Sequence, residues 1–200
     1  METHEMKMTA LEKKFVNRRK KAERNITKIR EQLEGVDLQN MTRALEIGCA
    51  TGLASAFLAK QYRMEVYGTD FDPAEIEIAR QMNKENDQLH FQIEDAARLS
   101  FADNSFDLIV SQNVFHHIPN WPQAVREIAR VLKPGGYLLW LDLVFPRIIV
   151  QLFTPLVKNY GVYSQADIQT VFADNGFKMI RAERKVHGLF SRCQFLLKKS

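Results

Sequence analysis

The run Leu45-Glu46-Ile47 breaks into Gly48-Cys49-Ala50-Thr51-Gly52 and resumes as Leu53-Ala54-Ser55. That pattern joins a buried strand to a helix through a glycine-bounded turn, and the rest of the chain can be placed from it. Such a turn presents backbone N–H groups at a helix start, and its glycines let a ligand come close where a Cβ would stand in the way. It suits a nucleotide.

Downstream, short apolar runs alternate with helical patterns. Ala44–Ile47 reads as the first strand and Leu53–Gln61 as the first crossover helix. Met64–Thr69 is a second strand closing on Asp70, and Pro73 opens a helix to Asn83 with Asp72 as its N-cap. Leu89–Ile93 and Phe106–Val110 are the third and fourth strands. A helix over Pro122–Leu132 is expected to stop at Lys133-Pro134-Gly135-Gly136, and Tyr137–Leu143 is a fifth strand. Strands alternating with helices at this spacing mean crossover connections: an α/β, doubly wound, mostly parallel sheet with helices on both faces and ligands at the carboxyl ends of the strands. The end of the chain differs. Ser164 caps a helix to Asp174, Asn175-Gly176 turns, and Phe177–Val186 and Phe190–Leu197 are joined by so few residues that they must pair antiparallel.

Before the turn, Leu11, Phe15, Ala22, Ile26, Ile29 and Leu33 fall on one side of a helix, and Lys13, Lys14, Arg18, Arg19, Lys20, Lys21, Arg24 and Lys28 crowd the rest. The basic excess behind the chain's net charge of +4 is concentrated in this segment. The plain reading is a helix that docks through its apolar side and leaves a solvated basic face; the sharper one is contact with an anionic membrane or with nucleic acid. At 200 residues the chain fits one domain with a full core. Its two cysteines, Cys49 and Cys193, make neither a disulfide framework nor a zinc site, and no apolar signal segment follows the basic N-terminus, so a reducing, cytoplasmic setting is expected and no metal.

The turn alone does not choose the nucleotide. A dinucleotide fold would carry a third glycine where Leu53 stands. Acidic residues at successive strand tips are more telling. Asp70 can accept from both hydroxyls of a ribose, Asp95 lies where it could reach an adenine amino group, and Glu46 suits an ammonium. A ligand with a ribose, an adenine and an amino-acid tail, and no phosphate, answers all three.

Here the sequence resembles the class I S-adenosylmethionine-dependent methyltransferases, in particular their small-molecule and lipid branch. The matching pieces are Leu45 to Gly52, Val66-Tyr67-Gly68-Thr69-Asp70, Glu94 to Leu99 with Phe101 to Asp107, Asn113-Val114-Phe115-His116-His117, and Arg130 to Gly136, in that order. The resemblance implies a seven-stranded sheet whose last strand runs against the others. It implies S-adenosylmethionine as cofactor, with S-adenosylhomocysteine as product. Gly48, Cys49, Ala50 and Gly52 would line the methionine and ribose portion, and Glu46 would hold the amino end. Asp70 would take the ribose hydroxyls, Phe71 would pack on the adenine, Asp95 and the backbone of Ala96 would read its edge, and Asn113 would lie near the methionine. The chain departs from the pattern at Ala50, where the family usually has glycine, and a methyl group there narrows the space.

Transfer from a sulfonium needs positioning more than acid–base help, so a base is required only when the acceptor must lose a proton. His116 and His117 are the candidates, though in this branch they resemble packing residues; Asp142, Tyr160, Tyr163 and His187 read as structural. No Asn/Asp-Pro-Pro-aromatic sequence follows the fourth strand and no cysteine follows a proline, which argues against a nucleobase target. Residues 144–163 form the acceptor-side insertion. Its Ile148, Ile149, Leu152, Phe153, Leu156 and Val157 share one helical face, and Gln151, Thr154 and Lys158 lie elsewhere; with Pro146 and Pro155 it is too broken to span a bilayer. It reads as a lid, and more sharply as the wall of an apolar acceptor pocket, ahead of a peripheral membrane contact. The chain therefore divides into a basic helical extension, 1–38, and a methyltransferase domain, 39–200. The expected activity is methyl transfer to a small, partly apolar acceptor. The rival is a cofactor-binding, non-catalytic interaction protein that meets nucleic acid or a membrane surface through the basic helix, and a weaker third reading is a nicotinamide oxidoreductase. Acceptor, attacked atom and oligomeric state stay open.

Overall fold

A computed structural model describes residues 10–84, 86–153 and 159–200, with side chains from residue 19 onward apart from Phe153. The expected contacts of Leu11, Phe15, Lys13, Lys14 and Arg18, and those of Phe153 and of residues 154–158, fall outside it. Seven strands form one sheet: β1 (Arg43–Ile47), β2 (Glu65–Asp70), β3 (Leu89–Ile93), β4 (Phe106–Gln112), β5 (Leu132–Val144), β6 (Phe177–His187) and β7 (Phe190–Lys199). Their order is β3-β2-β1-β4-β5-β7-β6. The first five are parallel, and β7 runs antiparallel to both its neighbours, β5 and β6. The order reverses between β1 and β4, and the loops leaving those strands open a crevice there.

Strand alternation splits the core in two. Ile109, Trp140 and Phe195 pack on one face beneath α4 (Trp121–Val131) and α6 (Gln165–Asp174), whereas Leu108, Val110, Leu139 and Leu196 pack on the other, with α1 (Ala10–Leu33) and α2 (Leu53–Tyr62). The helix signals work as expected. Asp72 accepts from Ala74 N at 2.8 Å to start α3 (Pro73–Met82), and Ser164 and Asp167 form a reciprocal capping box on α6. The expected stop holds, since α4 ends at Val131, but the fifth strand starts earlier than Tyr137: Lys133 to Gly136 lie inside β5, whose pairing with β4 shifts register there. The bulge absorbs the proline and the glycines without ending the strand.

Helix α1 is docked. Ile29 and Leu33 are buried among Ala44, Leu58, Val66 and Val110, which stabilises the contact by up to about 3–6 kcal/mol. Polar ties run along its length. Gln112 Nε2 donates to Asn25 O at 3.2 Å, Gln194 Nε2 to Lys28 O at 3.2 Å, and Gln32 Nε2 to Glu183 Oε1 at 2.7 Å. The Arg181 guanidinium donates to the carbonyls of Glu31, Gln32 and Glu34, and so caps the helix's negative end. Lys20 and Arg24 remain exposed. In the insertion, α5 (Arg147–Phe153) leaves Ile148 and Leu152 each 59% exposed, so this face is not packed over the described core. No helix among the described residues is long and apolar enough to cross a membrane.

Candidate functional site

The turn after β1 is laid against the end of β2. Gly48 N and Cys49 N both donate to Thr69 O, at 2.7 and 2.9 Å, Ala50 N donates to Asp70 Oδ2 at 3.0 Å, and Thr69 Oγ1 donates to Glu46 O. Gly48, Ala50 and Gly52 have φ of 73°, 47° and 73°, a left-handed zigzag that glycine tolerates and alanine resists. A Cβ on Gly48 would lie 2.2 Å from Val114 Cγ2, and one on Gly52 2.6 Å from the Phe91 ring. The N–H groups of Gly48, Cys49 and Ala50 are thus spent on β2. The start of α2 is occupied as well, since Ser55 donates to the Glu46 carboxylate through its backbone and, at 2.5 Å, through Oγ. A pyrophosphate would need that helix start, and the protein's own carboxylate fills it.

Above the turn lies a cavity of about 770 Å³. Six carboxylates line it, Glu46, Asp70, Asp72, Glu75, Glu94 and Asp95, all from the tips of β1 to β3 or the start of α3. The three strand-tip acids expected to converge do so. Asp70 is fixed by Ala50 N and by Asp72 N, which donates to Oδ1 at 3.1 Å, and Asp95 Oδ1 accepts from Ala97 N at 2.9 Å. Burial pushes the Glu46 carboxyl up to about 7, against the pull of the Ser55 hydrogen bonds and with the Asp70 charge adding to the push. Burial, with Glu46 and Asp70, also drives the Cys49 thiol far up, so it is no nucleophile.

Of the residues singled out, Glu46, Gly48, Cys49, Ala50, Asp70, Phe71, Asp95, Ala96 and Asn113 border the cavity. Phe71 is 76% exposed at its rim, an open flat ring. Gly52 does not border it; it lies behind, against Phe91, and serves the turn. The two histidines part company. His116 Nδ1 lies 2.5 Å from Asp142 Oδ1, and it does not border the cavity. His117 borders it, with Tyr160 at 6.0 Å between ring centroids. Burial and the His116 ring hold His117 below the ordinary imidazole range; Asp142 opposes and Lys21 adds to the depression. Buried Asp142 also accepts from Val114 N at 2.8 Å, Phe115 N at 2.6 Å and Leu143 N at 2.6 Å, which ties the loop after β4 to β5. His187 stacks on Phe190 in the β6–β7 hairpin, away from the cavity.

The fold has counterparts among known proteins. A methyltransferase-domain family matches residues 45–140. A demethylmenaquinone methyltransferase of Listeria welshimeri is 32% identical over 181 residues, covering 76% of this chain and 77% of that protein. The chain belongs to the class I S-adenosylmethionine-dependent methyltransferases. The methyltransferase GfsG of Streptomyces halstedii is 34% identical over 140 residues, 68% of this chain and 50% of that protein. The chain spans about half the length of several curated relatives it matches. Among solved structures, phosphoethanolamine N-methyltransferase 2 of Haemonchus contortus, in complex with phosphomonomethylethanolamine and S-adenosylhomocysteine, superposes with a TM-score of 0.73 at 16% identity, over 86% of this chain and 52% of that one.

For a methyltransferase of this family, one wall of the cavity was not foreseen. Lys21, Ala22 and Asn25 of α1 and Gln112 at the end of β4 border it too. Only the apolar stripe of α1 hinted that the helix docks, and nothing in the sequence says where. Asp142, read as structural, proves to hold the loop that carries both histidines.

Proposed function

We propose that the chain catalyses methyl transfer from S-adenosylmethionine to a small, partly apolar acceptor. The observation that carries this reading is the convergence of Glu46, Asp70 and Asp95 on one cavity at the point where the strand order reverses. The residues fit the cofactor: the turn borders the cavity at Gly48 to Thr51, the helix start is closed to phosphate, and buried Gln112 Oε1 has no partner among the described residues. Gly48 to Ala50 would lie along the methionine and ribose, Asp70 would accept from the ribose diol, Phe71 would cover the adenine, Asp95 and Ala96 would read its edge, and Asn113 would stand near the methionine. Glu46, poised near neutrality, would take the ammonium in its ionised form. When bound, the cofactor supplies a methyl group already activated on sulfur, so the protein's share is alignment and exclusion of water. His117 is held neutral at pH 7 and can take a proton from an acceptor that must lose one, whereas His116 is committed to Asp142.

The acceptor side is bordered by Val114, Ile118 and Pro119, which supports a partly apolar acceptor. The Listeria and Haemonchus proteins are named for different small molecules, so the acceptor class is supported and its identity is not set by likeness. The reading takes residues 39–200 as the catalytic domain and 144–163 as the acceptor-side lid. The exposed Ile148 and Leu152 leave room for a lipid-surface contact there, and no nucleic-acid target is included. A cytoplasmic setting goes with the two free, buried cysteines. Calorimetric titration with S-adenosylhomocysteine, with NAD as the control, tests the reading: micromolar binding of the first and none of the second is expected. Folded protein that binds only NAD overturns it.

A further inference from the structure

We infer that α1 completes the cofactor site, with Lys21 holding the carboxylate of the cofactor's amino-acid end and Gln112 Oε1 sharing its ammonium with Glu46. This rests on the reading above and deepens it.

The argument begins with charge. Six carboxylates line the cavity from β1 to α3, and the one permanent cation among its described lining side chains is Lys21, on the opposite wall. A carboxylate entering this cavity is repelled along the acidic wall and attracted only at α1. The proposed cofactor brings one carboxylate, on the same carbon as an ammonium, so its amino-acid end must face α1 if its ribose faces Asp70. The second observation is independent. Gln112 is buried, borders the cavity, and leaves Oε1 without a partner. Its amide cannot be reversed to hide that oxygen, because Nε2 already donates to Asn25 O at 3.2 Å, and a flip would set oxygen against oxygen. An unpaired buried acceptor is costly, and a donor arriving beside Gln112 satisfies it after a small turn of the amide. Lys21 lies one helical turn before Asn25 and borders the same cavity as Gln112. An α-amino acid offers both a donor and an anion. Helix α1 is held at the right height by buried Ile29 and Leu33 and by the Arg181 cap. The basic segment is therefore part of the binding wall, and its charge at Lys21 has a partner inside the molecule's own site.

The test compares S-adenosylhomocysteine with 5′-methylthioadenosine, which keeps the adenosine and thioether but lacks the amino-acid arm, by calorimetry on the full chain. Lys21→Met is expected to weaken the first about tenfold and to leave the second within about twofold, and Gln112→Leu to show the same selectivity. Lys21 is exposed, so its variant folds whatever happens at buried Gln112. If both ligands weaken by the same factor, α1 only packs and the inference fails. It fails equally if Lys21→Met leaves the binding of S-adenosylhomocysteine unaffected. Wild-type protein that binds neither ligand overturns the parent reading, a result distinguishable from both.

Discussion

The two walls of the cavity are built in opposite ways. The wall from β1 to β3 is acidic and made of strand tips, each held by neighbours a few residues away or on the adjacent strand: Asp70 by Ala50 N and Asp72 N, Asp95 by Ala97 N, Glu46 by Ser55. The wall from β4 and α1 is made of side chains brought together by long-range docking, such as Gln112 with Asn25 and Asp142 with the loop of His116. Local construction writes itself into short motifs. Docking does not, because a helix can lay the same apolar stripe in many places.

The comparison breaks most violently at Asp142. If the second wall hangs on that buried carboxylate, Asp142→Ala leaves the N–H groups of Val114, Phe115 and Leu143 and the His116 ring without their acceptor. A loss of about 3–5 kcal/mol is expected in urea unfolding. A loss below about 1 kcal/mol would mean that the loop is held by its packing, as the first wall's turns are by their backbone. On the first wall the matching change is Asp70→Ala, expected to weaken S-adenosylhomocysteine binding by about 1–3 kcal/mol through unpaired ribose hydroxyls and a loosened turn. Unchanged affinity would remove Asp70 from the ribose.

The same contrast explains what was legible in the sequence. The alternation of strands and helices in a mostly parallel sheet, the antiparallel end, the Asp72 and Ser164 caps and the carboxylates at three strand tips follow from periodicity and local turn chemistry, and all are present. Lys133 to Gly136 end α4 as read but hid the true start of β5, because a proline and two glycines mark a turn and bulge a strand with the same residues; only pairing with β4 separates the two. Gly52 was placed in the site because it belongs to the motif, yet its bare Cα is needed against Phe91, one layer behind. Lys21 and Gln112 were invisible because neither sits in a motif and their proximity depends on where α1 docks.

A pH titration sharpens the difference in charge between the walls. Glu46 has its pKa at about 7 when folded, above the ordinary carboxylate value. Its contribution to stability is therefore present below about pH 4.5 and is lost as pH rises through 7. Binding of an ammonium-bearing ligand has the opposite preference, since it favours the ionised form. Affinity for S-adenosylhomocysteine should rise up to about tenfold from pH 6 to pH 8, with about half a proton released per ligand at pH 7, measured by calorimetry in buffers of different ionisation heat. Glu46→Gln should flatten both trends. If the proton count is unaltered in that variant, the titrating group lies elsewhere, and His117 on the second wall is the next to replace.

The smallest expected effect is at Ala50, and it asks how much strain the first wall carries. Its φ of 47° is in the left-handed region, which costs a residue with a Cβ about 1–2 kcal/mol relative to glycine. Ala50→Gly relieves that, but the unfolded chain gains freedom worth about 0.4–1 kcal/mol in return. The side chain is exposed, so no packing is lost, and the N–H that donates to Asp70 is retained. The net should be a stabilisation of about 0.5 kcal/mol, or a Tm higher by about 1–2 °C. Because the methyl group faces the cavity and not the core, affinity for S-adenosylhomocysteine should rise no more than about twofold. A lower Tm would show that the methyl group restrains the turn more than it strains it, and the first wall would then owe its shape to Ala50 as well as to its glycines.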